Sequence, residues 1–386
     1  MKSDAATYRV RRPNTLGDFF RVRREKGEAG LPTLSVTMNN GLVDRADLDR
    51  KMETTLAPED HLRVREGDIA YNMMRMWQGA FGRAEKDGIV SPAYVVIEPR
   101  DNMDSRFAAH WFKSARMIHL FWAFSYGITE DRLRLYADDF SRIPMSAPPL
   151  HEQQRIADML DAWDRAIEQV KAITSKKSHC FDHLIQELVG RHQRTRLDQS
   201  DWNRSELAGL VAFKSGSTPS KSEAVYWGGR VPWISAKDLK SFDVSHSLQT
   251  LTSQGAARAT IVPKNTILIL VRGMGLLKDI PIGVTRTSVA FNQDIKALVP
   301  KRNIDPRFLA YALRSWRSVL MDRVDQAGHG TGRLAMDFLE TLPIALPSNT
   351  QQRRIVAALE AAGREIEILN SLASNRVLKK SVLGLG

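Results

Sequence analysis

The chain of 386 residues contains a single cysteine, Cys180. One thiol closes no internal disulfide and builds no cysteine-based zinc site. No apolar run reaches the roughly 20 residues that span a bilayer. The opening stretch, MKSDAATYRVRRPN, has no apolar signal-peptide core. A reduced, cytoplasmic protein is the expectation. Catalytic signatures are equally scarce. Gly216-Ser217-Thr218-Pro219-Ser220-Lys221-Ser222 looks like a phosphate loop at first sight. It lacks the glycine before the lysine, and Pro219 removes an amide that should face phosphate. Gly273-Met274-Gly275 lacks the third glycine of a dinucleotide fingerprint. Asp294-Ile295-Lys296 has no second acidic residue at metal-nuclease spacing. The nine histidines form no HExxH, and His179 with His183 fit one helix face more simply than a metal site. No active site is expected in this chain.

Charge is present in excess. The net charge is +12, with 56 Lys and Arg against 44 Asp and Glu. The excess is uneven: residues 1–150 hold 23 basic against 21 acidic side chains, and residues 201–350 hold 19 against 12. A basic surplus points to a polyanion partner. In the first half, any positive field must come from local clusters.

The strongest feature is a repeat. DDFSRIPMSAPPLHEQQRIADMLD at 138–161 returns as DFLETLPIALPSNTQQRRIVAALE at 337–360, with a constant offset. Pro144 matches Pro343, Pro148 matches Pro347, Gln153 matches Gln352, Arg155 matches Arg354 and Leu160 matches Leu359. Upstream, MDSRFAAHWFKSAR (103–116) echoes IDPRFLAYALRSWR (304–317). A repeat this long is a duplicated domain rather than a solenoid period.

Each copy runs into a helix. No proline or glycine occurs from His151 to Val189, and Gly190 is the expected stop. Alternating steps of four and three from Ile156 give an apolar stripe through Leu160, Trp163, Ile167 and Val170, interrupted at Thr174 and Lys177, then Phe181, Leu184 and Leu188. A helix of this length, about 58 Å at 1.5 Å per residue, needs a partner for its stripe. Ile355, Leu359, Ala362, Ile366 and Leu369 supply one, behind a capping box of Ser348 and Gln351. The expected fold class is α+β: two mixed α/β domains, 1–149 and 192–347, joined by two long antiparallel coiled-coil helices, 150–191 and 348–386, about a pseudo-two-fold axis. Short strands are expected at 34–36, 95–97, 231–235, 261–262, 266–271, 283–285 and 294–299, and a helix near 105–118.

The remaining polar clusters suit DNA. In the first domain these are Arg21, Arg23, Arg24 and Lys26, then Asn72, Arg75 and Gln78, then Tyr126. In the second they are Lys214, Ser215, Thr218, Ser220 and Lys221, followed by Lys237, Arg272, Lys278, His329 and Arg333. Hydroxyls and lysines suit phosphate oxygens, while Arg, Asn and Gln suit base edges.

Ile143-Pro144 and Pro148-Pro149-Leu150-His151-Glu152-Gln153-Gln154-Arg155-Ile156 before a long helix, with the second copy from Leu342-Pro343 to Ile355, resemble the junctions of type I restriction–modification specificity subunits. Residues 217–234 resemble the opening of that family's target-recognition domains. So do Gly67-Asp68-Ile69, Met74 to Ala80 and Gly88 to Pro92. The second junction departs from the pattern, with Asn349-Thr350-Gln351-Gln352 where the family usually has Leu-x-Glu-Gln. The resemblance implies a non-catalytic subunit whose two target-recognition domains each take half of a split site in double-stranded DNA. The helices would set the spacer and dock two methyltransferase subunits, joined by motor-nuclease subunits. Gln153, Arg155, Gln352 and Arg354 are the candidate partner contacts. S-adenosylmethionine, ATP and Mg²⁺ would belong to the partners. The alternative readings are a coiled-coil scaffold and an orphan specificity subunit without its own restriction role.

Overall fold

The computed structural model describes residues 14–48, 56–129, 132–194, 202–301, 303–327 and 330–382. Packing divides the chain into a first unit, which takes the residues up to Lys171 and those from Asn370 onward, and a second unit, Ala172–Leu369.

The first unit is built on an antiparallel sheet in the order Phe20–Arg23, Tyr94–Pro99, Ile69–Asn72, Phe81–Arg83. One face is closed by an aromatic cluster. Phe112 lies 5.6 Å from Phe20, 5.7 Å from Phe81, 5.3 Å from Phe121 and 5.9 Å from Phe140, mostly edge to face. The helix expected near 105–118 is two helices, Ser105–Trp111 and Ala115–Ala123. The break is chemical: the Ser114 hydroxyl accepts from the Met117 amide and starts the second helix afresh.

The second unit repeats the sheet. Val211–Ser215, Ile295–Pro300, Ile267–Leu270 and Ile282–Thr285 stand in the same antiparallel order, and Asp243–Val244 adds a parallel edge. Every side chain of Ile267–Leu270 is buried, which explains why that strand is an unbroken apolar run rather than an alternating one. Phe291, Leu298, Phe308 and Leu313 complete this core.

The long helix from Leu150 does not stop at Gly190. Leu150–Ile185 passes into a π-helical turn, Gln186–Gly190, and on into Arg191–Arg194. Gly190 is buried, and a Cβ there would meet the Gln186 carboxamide oxygen at 2.2 Å. It is not a left-handed cap: its backbone is helical, and the side chains nearest it are the movable ends of Gln186 and Arg194. The helix continues because buried Gln193 is held by Ala345, donating to its carbonyl at 2.9 Å and accepting from its amide at 2.8 Å. The second long helix, Asn349–Val382, begins at the predicted capping box, with Ser348 and Gln351 exchanging hydrogen bonds at 3.2 and 3.4 Å. Within the second unit the two helices run in opposite senses. Lys177 pairs with Glu365 at 2.7 Å, Phe181 lies beside Gly363, and Gln193 lies beside Ala345.

The repeated glutamine explains the junctions. Gln153 is 1% exposed, and its carboxamide oxygen accepts from the Asp104 amide at 2.9 Å. Its nitrogen donates to the Asn102 and Pro148 carbonyls. Gln352 is 2% exposed, accepts from the Asp305 amide at 2.9 Å and donates to the Pro347 carbonyl at 3.0 Å. Asp104 and Asp305 in turn cap the helices that follow them, each accepting from two backbone amides. The next residue but one, Arg106 or Arg307, reaches back to the long helix, to Asp158 and Asp161 in one copy and Glu360 in the other. These clamps correct one expectation. Gln153 and Gln352 point inward with their amides spent on backbone, so they fasten helix to domain and do not face a partner. Arg155 and Arg354 are exposed.

Candidate nucleic-acid interface

Strand register decides which of the polar clusters come together. In the second unit, Ser215 stands opposite Lys296 and Leu270 opposite Ile295. Ile234 and Phe291 end a parallel pair at that same edge. The segments beginning at Ser215, Val271, Ser235 and Asn292 therefore leave the sheets together. Backbone bonds knit them: Ser217 donates to Phe291, Asn292 to Ile234, and Val271 and Arg272 to Asp294. Side chains continue the pattern. The Thr218 hydroxyl donates to Gln293 at 2.7 Å, Lys296 donates to the Ser215 hydroxyl at 2.5 Å, and the Ser220 and Ser222 hydroxyls are 2.7 Å apart. The Lys221 ammonium lies 5.9 Å from the Trp233 ring centre. Lys214, Lys237 and Lys278 are exposed, the second in a turn that Asp238 holds by capping Ser235.

Arg272 faces Arg333 directly across the short antiparallel pair formed by Arg272–Gly273 and Thr331–Leu334. Both are exposed. Like charges directly opposite weaken a sheet, so this exposed pairing costs the ribbon stability. His329 lies outside the described residues.

The first unit presents the equivalent edge. Asn72 ends its strand opposite Tyr94, and its side-chain oxygen accepts from the Met74 amide at 3.0 Å, opening a turn that ends in the 3-10 helix Met76–Gln78. Arg75 and Gln78 are exposed on this turn. Tyr126, 63% exposed, pairs backbone to backbone with Arg134, and the Leu135 amide then donates to the Met73 carbonyl at 2.9 Å. In the second unit the Leu334 amide donates to the Val271 carbonyl, also at 2.9 Å. The repeat offset carries Leu135 onto Leu334 and Arg134 onto Arg333, so Arg134 is a candidate contact that residue type alone did not suggest. Gln293 was missed for a different reason: it becomes visible only once Thr218 is seen beside it.

The arginine cluster of the first unit needs correction. Arg21 pairs in bidentate fashion with Glu98, at 2.6 and 2.5 Å, because register sets the two residues opposite. That bond holds the Glu98 carboxyl below its usual range. Arg23 is largely buried and contacts Asp68 at 2.7 Å, with Glu25 and Glu98 nearby. Burial pushes the Asp68 carboxyl up in spite of Arg23. Arg21 and Arg23 thus belong to an ion-pair lattice that also includes Arg63 and Arg65. Arg24 and Lys26 remain exposed beyond the strand end.

No described helix is long and apolar enough to cross a membrane. Two sheets of one strand order, each with exposed cations and amides on the segments that leave the same edge, make this a duplicated two-sheet protein. The chain belongs to the family of type I restriction modification DNA specificity domains, whose model matches residues 53–176 and 199–378. It is 25% identical over 240 residues to the type I restriction enzyme EcoR124I/EcoR124II specificity subunit of Escherichia coli, covering 60% of this chain and 58% of that one. It is 28% identical over 194 residues to the MjaIX specificity subunit of Methanocaldococcus jannaschii, covering 48% and 43%. The chain therefore spans about half the length of these curated relatives. Among solved structures, the fold is similar to one from work on complex assembly and conformational transition of the type I R-M system, with TM-score 0.59, 17% identity, and 97% and 95% of the two chains covered. It is also similar to the type I restriction-modification S subunit from M. genitalium, with TM-score 0.57, 17% identity, and 96% and 94% covered.

Proposed function

We propose that this chain is the non-catalytic DNA-reading subunit of a cytoplasmic type I restriction–modification complex. Residues 1–149 and 192–347 each take one half of a gapped double-stranded site, and the long helices that begin at Leu150 and Asn349 set the spacer. The observation that carries this reading is the duplicated edge. The same strand order in both units leads into segments bearing Arg75 and Gln78 in one, and into Thr218 and the short ribbon carrying Arg272 and Arg333 in the other. Phosphate contacts would fix register on the duplex and base contacts would give sequence. Two methyltransferase subunits would dock on the helices, with exposed Arg155 and Arg354 as candidate contacts, and motor-nuclease subunits would complete the assembly. S-adenosylmethionine, ATP and Mg²⁺ would be held by those partners.

The test is a domain exchange. Residues 1–149 are replaced by the matching segment of a relative with a different target, and the methylated motif is sequenced in cells carrying the partner subunits. One half-site should change and the other persist; alteration of both would refute independent readers. A scaffold without a nucleic-acid role would show no DNA affinity that falls steeply with salt.

A further inference from the structure

The second unit carries a row of charges with a defined order. Val324–Ala327 and Thr331–Leu334 form an antiparallel ribbon, and Arg272–Gly273 adds a short third strand beside the latter. Register places Asp325 opposite Arg333, and Arg333 opposite Arg272. Directly opposed residues project from the same face, so the three form one line across the strands, about 4.8 Å apart per step. All three are exposed, and among the described residues no ion pair closes between Asp325 and Arg333. The opposite face is filled: a Cβ on Gly332 would meet Leu276 at 3.2 Å and Leu277 at 3.3 Å. The row is thus held on a packed ribbon by backbone pairing and by the Leu334-to-Val271 and Arg272-to-Asp294 bonds.

A phosphate would accept from either arginine but would be repelled by the carboxylate beside them. A base-pair edge would not. In the major groove, guanine offers two acceptors, O6 and N7, and its cytosine offers the N4 donor. The groove admits a two-stranded ribbon. Resting on the DNA-reading function above, we infer that Arg333 and Asp325 read a G·C pair in the half-site of the second unit, Arg333 donating to guanine O6 and N7 and Asp325 accepting from cytosine N4. Arg272, on the outermost strand, faces the flanking phosphate of the guanine strand. The first unit has Tyr126 and Arg134 in the corresponding pairing, so the aspartate is missing there and the assignment belongs to one half-site only.

The experiment is selection of bound duplexes from a randomised library by the full chain with its methyltransferase partners, at two salt concentrations. The wild-type chain should enrich a half-site with an invariant G·C pair. R333A should lower the preference for guanine at that position by about 5- to 150-fold while leaving the other half-site unchanged. R333K keeps the charge but loses the fork, and should lose the guanine preference with an unchanged salt slope. D325N should relax the same position, and R272A should weaken all sequences alike and flatten the salt slope by about one. If a half-site is enriched but R333A weakens every sequence equally, the arginine is a phosphate contact and the base assignment falls while the DNA-reading function stands. If nothing is enriched from the library, both fall.

Discussion

Replacing Gln352 with alanine removes a side chain that is 2% exposed and holds the Asp305 amide and the Pro347 carbonyl together. Two neutral hydrogen bonds contribute about 1 kcal/mol each, and a buried amide or carbonyl left unpaired costs about 1–3 kcal/mol more. Q352A should therefore destabilise the second unit by roughly 3–5 kcal/mol. For a unit of this size each kcal/mol moves the melting temperature by roughly 2–4 °C, so a fall on the order of 10 °C is expected. The assay is urea and thermal unfolding of the full chain, with Q153A as the matched perturbation in the first unit. Gln153 also makes three bonds, its third going to the Asn102 carbonyl where that of Gln352 goes to the Asn349 side chain, and should cost about as much. R354A, at an exposed site, should stay within about 0.5 kcal/mol of the parent. If Q352A unfolded like the parent yet failed to bind its partner subunits, the inward clamp would be wrong and the original assignment of Gln352 to partner docking would be restored.

Other outcomes follow from the same geometry. F112A, which empties the centre of a ring cluster including Phe20, Phe81, Phe121 and Phe140, should cost about 3–5 kcal/mol by urea unfolding. Burial would raise the Asp243 carboxyl, but hydrogen bonds from Arg307 at 2.5 Å and Arg286 at 3.0 Å outweigh it and hold the group below its ordinary range. Its contribution is therefore present above the unfolded value, about 3.9, and is lost as pH falls through the lower folded one. Urea unfolding between pH 7 and pH 3 should show a shallower acid loss in D243N than in the parent. One added helical turn within 150–191 lengthens that segment by about 5.4 Å. On the proposed function it changes the spacer of the methylated motif and neither half; an unchanged spacer would count against the helices as its determinant.

Spacing along the chain was enough to expose the duplication, the two helices and the capping box, because each is a local property. The constant offset between the copies, the lack of helix breakers after Pro149 and the Ser348–Gln351 pair need no knowledge of what lies across the fold. Residue type also picked out turns that share an edge, those at Asn72 and Arg75 and those at Thr218 and Arg272. It misplaced side chains whose role depends on a distant partner. Gln153 and Gln352 carry the most visible identity in the repeat, yet a polar residue near a helix start looks the same whether it meets solvent or a buried backbone amide. Arg21 and Arg23 looked like a free basic cluster until register set Arg21 opposite Glu98 and packing buried Asp68 against Arg23. Gly190 had the signature of a stop, and only the structure placed it inside a helix that runs on to Arg194. What the sequence determined by itself was the number of copies and the periodicity of their elements. Which charges stay exposed was decided by tertiary structure, since antiparallel pairing brings residues tens of positions apart within hydrogen-bonding distance and pairs some while leaving others open.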